Sequence, residues 1–492
     1  MHPGYERLRE RWYRGGWYSG RTLIDAIEHG ADEHGAAELV FAADGTETVV
    51  SLADLHRRAT AVAAALQARG IGPGDTVAVQ MTNRIECAVV YQAVLLCGAV
   101  LVPIVHIYGR AEVDFILAQS AAKLMITLDT VPAPSEAAYR RPEPSADDVA
   151  VLIYTSGTTS APKGVQHSHN SMLAELVTLS AVIAGDDASV QLATFPPGHI
   201  AGVNAMLRPM TSGRRSVFLE RWDPATAAEL IQRHRITSTA GTPFHLEGLL
   251  ALPGADRKLA TLREYLTGAA AVSEELGQRA REAGIESFRC YGCTEHPTVT
   301  SGRADEPEAA RFGTDGAPLP GSAVRILAPS GDEQPVGVDG EVVVQGPDQF
   351  IGYRDPALDA DAFTADGWFR TGDLGHLDRD GRLTITDRIK DVIIRGGETI
   401  SSGQVEDVLN THPAVAEGAV VAAPDPRYGD VVAAIVVLNP GTTLEIEDLR
   451  THFAAAGLAK QKTPERLVVV DALPRTALGK VRKADLRKEH FG

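Results

Sequence analysis

A layered α/β chain of more than one domain is predicted, with ligand-holding loops at its strand ends, and three observations predict it. Helical and strand patterns alternate from about residue 20 to 126, which is the mark of α/β organisation. Several short apolar runs stop at glycine or proline clusters, the places where open α/β sheets hold ligands. The length, 492 residues, is too great for one core and suggests about two to four domains.

The elements follow in order. Leu52–Ala68 is alanine-rich with apolar residues at helical spacing, Asp75–Gln80 reads as a strand, and Ile85–Leu96 is helical again. Cys87–Val105 carries no charge and is long enough to make a membrane span conceivable. Gly98 and Pro103 divide it, however, and a buried helix leading into a buried strand is the preferred reading. Residues 127–148, rich in Pro, Ala and acidic residues without a period, read as a loop. Beyond them His169–Ile183 reads as a helix, Val190–Phe195 as a strand stopped by Pro196 and Pro197, and Asp223–His234 as a helix with a capped start. Ser238–Gly241, Leu262–Leu266 before Gly268, and Phe288–Tyr291 before Gly292 are the remaining strand-like runs in this half.

Composition narrows the function. The hydrophobic content of 44% and charged content of 23% are those of an ordinary globular protein. A net charge of −17 excludes a general nucleic-acid binder, which needs a positive surface. Four cysteines are too few for a disulfide scaffold and fit a reducing cytoplasm. The polar N-terminus, MHPGYERLRERWYRGGW, lacks the apolar core of a signal peptide.

The stretch YTSGTTSAPKGV, Tyr154 to Val165, carries the chemistry most plainly. It places hydroxyls at Thr155, Ser156, Thr158, Thr159 and Ser160 around Gly157, with Lys163 closing the segment. Glycine admits close backbone approach, hydroxyls donate to phosphate oxygens and the lysine adds mobile positive charge, so the loop suits polyphosphate. It is not a Walker loop, because Gly164 follows the lysine where Ser or Thr is required, and Pro162 removes a donor. A Ser/Thr-rich surface turn is the plain alternative. At YGCTE, Tyr291 offers an aromatic face for a base, Gly292 close approach, Thr294 a hydroxyl and Glu295 a carboxylate able to hold Mg²⁺.

With FRTGDLG at 369–375, DRIKDVIIRGGE at 387–398 and PRTALGK at 474–480, these motifs occur in the order of one family. Over nearly its whole length the chain resembles the adenylate-forming superfamily of acyl-CoA ligases, luciferases and peptide-synthetase adenylation domains. The resemblance implies a large N-terminal α/β domain of stacked subdomains, residues 1–388, and a small mobile α+β lid, residues 389–492. It implies formation of an acyl-adenylate from MgATP and a carboxylic acid, then transfer to coenzyme A. A stand-alone enzyme loading a carrier protein is the alternative within enzymes, and a non-catalytic nucleotide-binding protein the alternative outside them. No nucleic-acid partner or integral membrane segment is expected, and a monomer or homodimer is.

The same resemblance assigns roles. Thr155, Ser156, Gly157, Thr158, Thr159 and Lys163 would handle the β and γ phosphates, Thr294 the α-phosphate and Glu295 the Mg²⁺. Tyr291 would stack on adenine beside Gly268, Ala269 and Ala270, with Gly292 close by. Asp373 and Arg388 would hold the ribose. Lys480 would be the catalytic cation bridging carboxylate and α-phosphate; a solvated basic tail with Arg475, Arg482, Lys483, Arg487 and Lys488 is the competing view. Lys390 matches the hinge, and rotation there would bring Arg395, Gly396 and Gly397 toward the pantetheine arm. His199 would gate the acyl site, and Ile200, Ala201, Val203, Phe244, Ala269 and Ala270 would make it apolar, without a charge to pair a second carboxylate or an amine.

Departures are equally specific. Ser160 stands where the family most often has Gly, residues 127–148 look shorter than the matching stretch, and Ser402 stands where relatives usually have Pro. Cys290 and Cys293 form a CxxC without a second pair, a weak zinc signal. His167 and His169 are expected to be structural.

Overall fold

The uncharged stretch folds as the helix Ile85–Leu96, buried from Cys87 onward, and the fully buried strand Val100–Ile104. Gly98, at φ 67°, makes the left-handed turn between them. Among the described residues no helix is long and apolar enough to cross a membrane. The structure is a computed structural model that describes residues 4–155, 162–182, 189–268, 272–396, 398–476 and 479–492.

The chain divides into two compact units. One comprises the described residues as far as Val324 together with Val344–Arg370, and the other Arg325–Val343 with Thr371–Gly492. The first unit holds two sheets. In the nine-stranded sheet the order is Ala317–Pro318, Thr300–Ser301, Glu286–Tyr291, Glu264–Thr267, Ser238–Gly241, Gln191–Ala193, Ser216–Leu219, Glu38–Ala43, Thr46–Ser51. The strands from Glu286–Tyr291 to Glu38–Ala43 are parallel to one another. The six-stranded sheet runs Gly352–Tyr353, Lys163–Ser168, Val149–Thr155, Val100–Ile104, Thr76–Gln80, Leu124–Thr127.

One continuous core joins the two sheets through the helices between them. It packs Ile27, Leu55, Val62, Val90 and Leu207 against Phe41 and Phe218 on one side and Val77, Leu101 and Ile153 on the other. The outer faces are covered as well, by Leu230, Ile231 and Leu246 on the large sheet and by Val113 and Ile116 on the small one. Sheets buried on both faces explain why their strands read as continuous apolar runs rather than alternating ones. Each buried Leu or Ile contributes roughly 1.5–3 kcal/mol of transfer free energy.

Local signals behave as read at Asp223, whose carboxylate accepts from the Thr226 N–H at 2.7 Å and caps the helix Pro224–His234. The strand expected over 190–195 is shorter, Gln191–Ala193. Residues 127–148 form a loop with a single 3-10 turn, Leu128–Thr130, and are tied down where the Tyr139 hydroxyl donates to the Leu96 carbonyl at 2.9 Å. The polar N-terminus hides a helix, Tyr5–Arg14, that buries Tyr5, Leu8 and Trp12. Those three residues are one helical stripe, a signal masked by the arginines and glutamates between them.

The second unit contains a sheet in the order Ala323–Leu327, Gly340–Gln345, Phe369–Leu377, Leu383–Arg388, of which 325–343 and 371–388 belong to it. A further sheet pairs Glu398–Ile400, Ile393–Arg395, Gly429–Leu438, Val415–Asp425 and Arg466–Val469. One face packs on the helices Ser402–Leu409 and Ile446–Ala455 through Val405, Leu409, Leu449 and Phe453, the other on Lys483–Phe491 through Leu486. This is an α+β arrangement.

Candidate active site

Four parallel strands of the large sheet, Glu286–Tyr291, Glu264–Thr267, Ser238–Gly241 and Gln191–Ala193, lie side by side, so their C-terminal ends open on one edge. That edge brings together residues scattered over a hundred positions of sequence. His199 follows the end of Gln191–Ala193 and is the N-cap residue of the helix Ile200–Ser212, its N–H donating to the Pro196 carbonyl at 3.1 Å. Val203 is buried on that helix, while Phe244, on the helix Pro243–Leu250, is 46% exposed. Phe195, Trp222 and Phe244 surround the His245 ring at 6.2, 4.4 and 5.8 Å. Gly268 donates its N–H to the Gly241 carbonyl at 3.1 Å.

The YGCTE segment is a tight reversal. The Val299 N–H donates to the Tyr291 carbonyl at 2.9 Å and the Cys293 N–H to the His296 carbonyl at 3.0 Å. A Cβ on Gly292 would lie 2.0 Å from the Pro297 carbonyl oxygen, so no other residue fits there. The reversal is clamped from outside: His167 Nε2 donates to the Thr294 carbonyl at 2.8 Å, and the Phe350 N–H donates to the Glu295 carbonyl at 2.7 Å. The Glu295 carboxylate is fixed by the Tyr353 hydroxyl, which donates to Oε1 at 2.8 Å. Lys163 Nζ stands 5.1 Å from the centre of the same tyrosine ring. Thr155 and Lys163 face each other across paired antiparallel strands, so the two ends of the hydroxyl-rich segment are joined. Ser156, Gly157, Thr158, Thr159, Ala269, Ala270 and Gly397 lie outside the described residues.

In the second unit Asp373 and Arg388 sit opposite each other on paired strands, their side chains 3.1 Å apart. Asp373 is buried and Arg388 exposed, so the pair presents guanidinium outward over a fixed carboxylate. Lys390 is exposed two residues later. Gly396, at φ 58°, turns the chain and donates its N–H to the Tyr428 carbonyl at 2.7 Å, while Arg395 stacks on the Tyr428 ring at 4.0 Å and pairs with Glu465 at 2.6 Å. Lys480 ends a hairpin in which the Thr476 N–H donates to its carbonyl at 2.8 Å and its own N–H donates to the Thr476 hydroxyl at 3.2 Å.

The model of the AMP-binding enzyme family matches residues 27–142 and 129–354, and that of the AMP-binding enzyme C-terminal domain matches 404–480. The chain belongs to the AMP-binding enzymes. It is 31% identical to the medium-chain fatty-acid–CoA ligase of Escherichia coli (strain K12) over 530 aligned positions, covering 99% of this chain and 91% of that one. It is 32% identical to the feruloyl-CoA synthase of an Amycolatopsis species, covering 90% and 94%. Among solved structures it is similar to o-succinylbenzoate CoA synthetase from Bacillus subtilis in complex with the acyl-adenylate intermediate OSB-AMP, with a TM-score of 0.85, 28% identity and coverage of 95% and 98%. The α/β plan with a large N-terminal and a smaller C-terminal domain is borne out by that likeness.

Sequence reasoning missed the buried charges behind the site of this enzyme. Glu175, Asn204, Arg208, His296 and Asp348 are all buried. Glu175 Oε1 accepts from Asn204 Nδ2 at 3.0 Å and from the Thr298 hydroxyl at 2.8 Å. His296 Nε2 lies 2.9 Å from Asp348 Oδ1. Burial, then the Asp348 charge, pushes the Glu175 carboxyl well above its ordinary range, which favours its neutral form. Burial opposes the Asp348 charge too, but His296 at 2.9 Å outweighs it and holds that carboxyl low. The cluster ties the YGCTE reversal to the helices His169–Val182 and Ile200–Ser212. Its members lie far apart in sequence, and no local spacing announces them.

Tyr353 was also illegible in the sequence, and its removal is testable. Glu295 is the carboxylate expected from the sequence to hold Mg²⁺, and among the described residues no group of three or more acidic, histidine or cysteine side chains could cage a metal. A single carboxylate fits this ion, which is ordinarily held by one or two carboxylates plus substrate phosphates. Tyr353→Phe deletes a hydrogen bond to a charged acceptor, so the apparent affinity for Mg²⁺ is expected to fall by about tenfold. Titrating Mg²⁺ against the rate of pyrophosphate release checks this, and an unaltered Mg²⁺ dependence counts against the role of Glu295.

Proposed function

We propose that this enzyme is an ATP-dependent, AMP-forming acid–thiol ligase that adenylates a monocarboxylic acid and transfers the acyl group to coenzyme A. The observation that carries the reading is the Glu295 carboxylate, fixed by the Tyr353 hydroxyl, with Lys163 over the same ring. A carboxylate and a cation held this way at the rim of the hydroxyl-rich segment suit a triphosphate with its metal. When bound, Mg²⁺ would supply positive charge to the phosphate oxygens at Glu295.

The chain's own groups do the rest. Thr294 and the backbone of its reversal donate to the α-phosphate, Tyr291 stacks on adenine, and Asp373 with Arg388 grips the ribose. Lys480 neutralises charge as the carboxylate attacks the α-phosphorus and pyrophosphate leaves. The lid, residues 389–492, then turns about Lys390, withdrawing Lys480 and presenting Gly396 and Gly397 to the thiol's pantetheine arm. His199 guards the passage between acid and thiol. The aromatic cluster around His245 and the buried Val203 support an acid with an aliphatic, alicyclic or aromatic body. Four cysteines without a disulfide are in keeping with work in a reducing cytoplasm.

Exchange of labelled pyrophosphate into ATP is expected with at least one acid from a panel of straight-chain, alicyclic and aryl carboxylates. Release of AMP is expected to rise on adding CoA. Exchange that needs no CoA but turnover that needs a pantetheinylated carrier protein would overturn the acceptor, and no exchange with any acid would overturn the reading.

A further inference from the structure

The residue before Arg388 in the strand Leu383–Arg388 is Asp387, three positions ahead of Lys390. Its carboxylate accepts twice from Ser402: Oδ2 from the backbone N–H at 2.5 Å and Oδ1 from the hydroxyl at 3.1 Å. Ser402 is fully buried and opens the helix Ser402–Leu409. The same hydroxyl accepts from Lys483 Nζ at 2.9 Å, and Nζ also pairs with Glu406 Oε1 at 2.9 Å. A hydroxyl has one donor and two acceptor sites, so both of its bonds coexist. Glu406 is anchored in turn, its Oε1 accepting from the Val420 N–H at 2.7 Å. Lys483 begins the last helix, three residues after Lys480, and lines the same cavity of about 280 Å³ as Lys390.

We propose that Asp387, Ser402 and Lys483 form a latch across the pivot, holding the lid in one of its two orientations and thereby setting the balance between adenylation and acyl transfer. The proposal rests on the reading of Lys390 as the hinge. Asp387 then precedes the pivot while Ser402 and Lys483 follow it, so rotation about Lys390 parts them. The latch depends on the serine that stands here in place of the family's usual proline. Proline has neither N–H nor hydroxyl and would delete both bonds to Asp387.

The test compares the full-length enzyme with Ser402→Pro, Asp387→Asn, Lys483→Met and Lys483→Arg. Pyrophosphate exchange reads adenylation, and thioester formation from supplied acyl-adenylate and CoA reads transfer. Ser402 is the first residue of its helix, where proline is well tolerated, so that variant is expected to fold. The ratio of the two rates is expected to shift by about tenfold in the same direction in the first three variants, the scale set by lost hydrogen bonds to a charged group. Lys483→Arg, which keeps the charge and donors, is expected to stay within about twofold of wild type. An unchanged ratio, or ratios that move in opposite directions, overturns the latch. Proportional loss of both rates with a falling thermal midpoint also overturns it, since that marks a merely structural role. Should Lys480→Ala also leave the ratio unchanged, the hinge-and-lysine reading itself fails, which separates the two failures.

Discussion

Lys480→Ala is expected to slow adenylation by ~10²–10³-fold, about 2.7–4 kcal/mol of transition-state stabilisation, while acyl transfer from supplied acyl-adenylate to CoA survives. The size follows from preorganisation. The lysine sits on a hairpin closed by the Thr476–Lys480 bonds and by the bridge between Arg475 and Val481, with Gly479 in a left-handed turn at φ 78°. Arg475 ties that hairpin to Glu417 at 2.7 Å. These contacts use backbone and neighbouring side chains, so truncation at Cβ removes the ammonium and leaves its mounting intact. An unchanged thermal midpoint with a lost exchange activity is therefore the expected pair of measurements. Exchange at the wild-type rate would return Lys480 to the solvated basic tail.

Acid is expected to unfold the enzyme well before its carboxylates are neutralised, because burial depresses the pKa of three of its histidines. His167, His169 and His245 are 0, 1 and 4% exposed. Burial pulls each imidazole from the usual value near 6.5 down to about 4. His169 and His245 also use their neutral rings as acceptors, for the Leu23 N–H at 3.2 Å and the Thr242 N–H at 3.1 Å. A base whose folded pKa lies below its unfolded one binds fewer protons when folded. Its stabilising contribution is complete above about pH 6.5 and is lost as pH falls toward 4. At about 1.4 kcal/mol per unit, each histidine withdraws on the order of 3 kcal/mol, against a typical total of about 5–15. Glu175 and Glu406 act in the opposite sense, because burial raises both carboxyls and acid relieves that cost, but their relief is largely spent once each is protonated. Thermal midpoints are expected to drop steeply between pH 6.5 and 4.5, and His245→Gln is expected to shallow the slope by roughly a third. A flat midpoint over that range would show that these rings take up protons without unfolding the chain.

Much of the candidate site can be proposed from the sequence because its residues come in local strings. The YGCTE reversal, the Lys163 segment and the Thr476–Lys480 hairpin each declare their chemistry within a dozen positions. His167 and His169 read as structural, and both are buried among backbone partners. Asp373 and Arg388, each assigned to the ribose, turn out to face each other across one strand pair, so they act as a unit. Residues that work through a distant partner were not legible. Tyr353 reaches Glu295 across 58 positions, His296 reaches Asp348 across 52, and Lys483 reaches Ser402 across 81.

Taken alone, the order of amino acids determined the α/β plan, the buried nature of Cys87–Val105 and the segments proposed to carry the chemistry, since periodicity, turn residues and reactive groups are properties of neighbours in the chain. Only the tertiary structure decided which side chains hold those segments still: Tyr353 on Glu295, Asp348 on His296, Lys483 on Ser402. Such pairs meet because separate strands and helices pack side by side, and burial then makes each unsatisfied donor or acceptor too costly to leave alone.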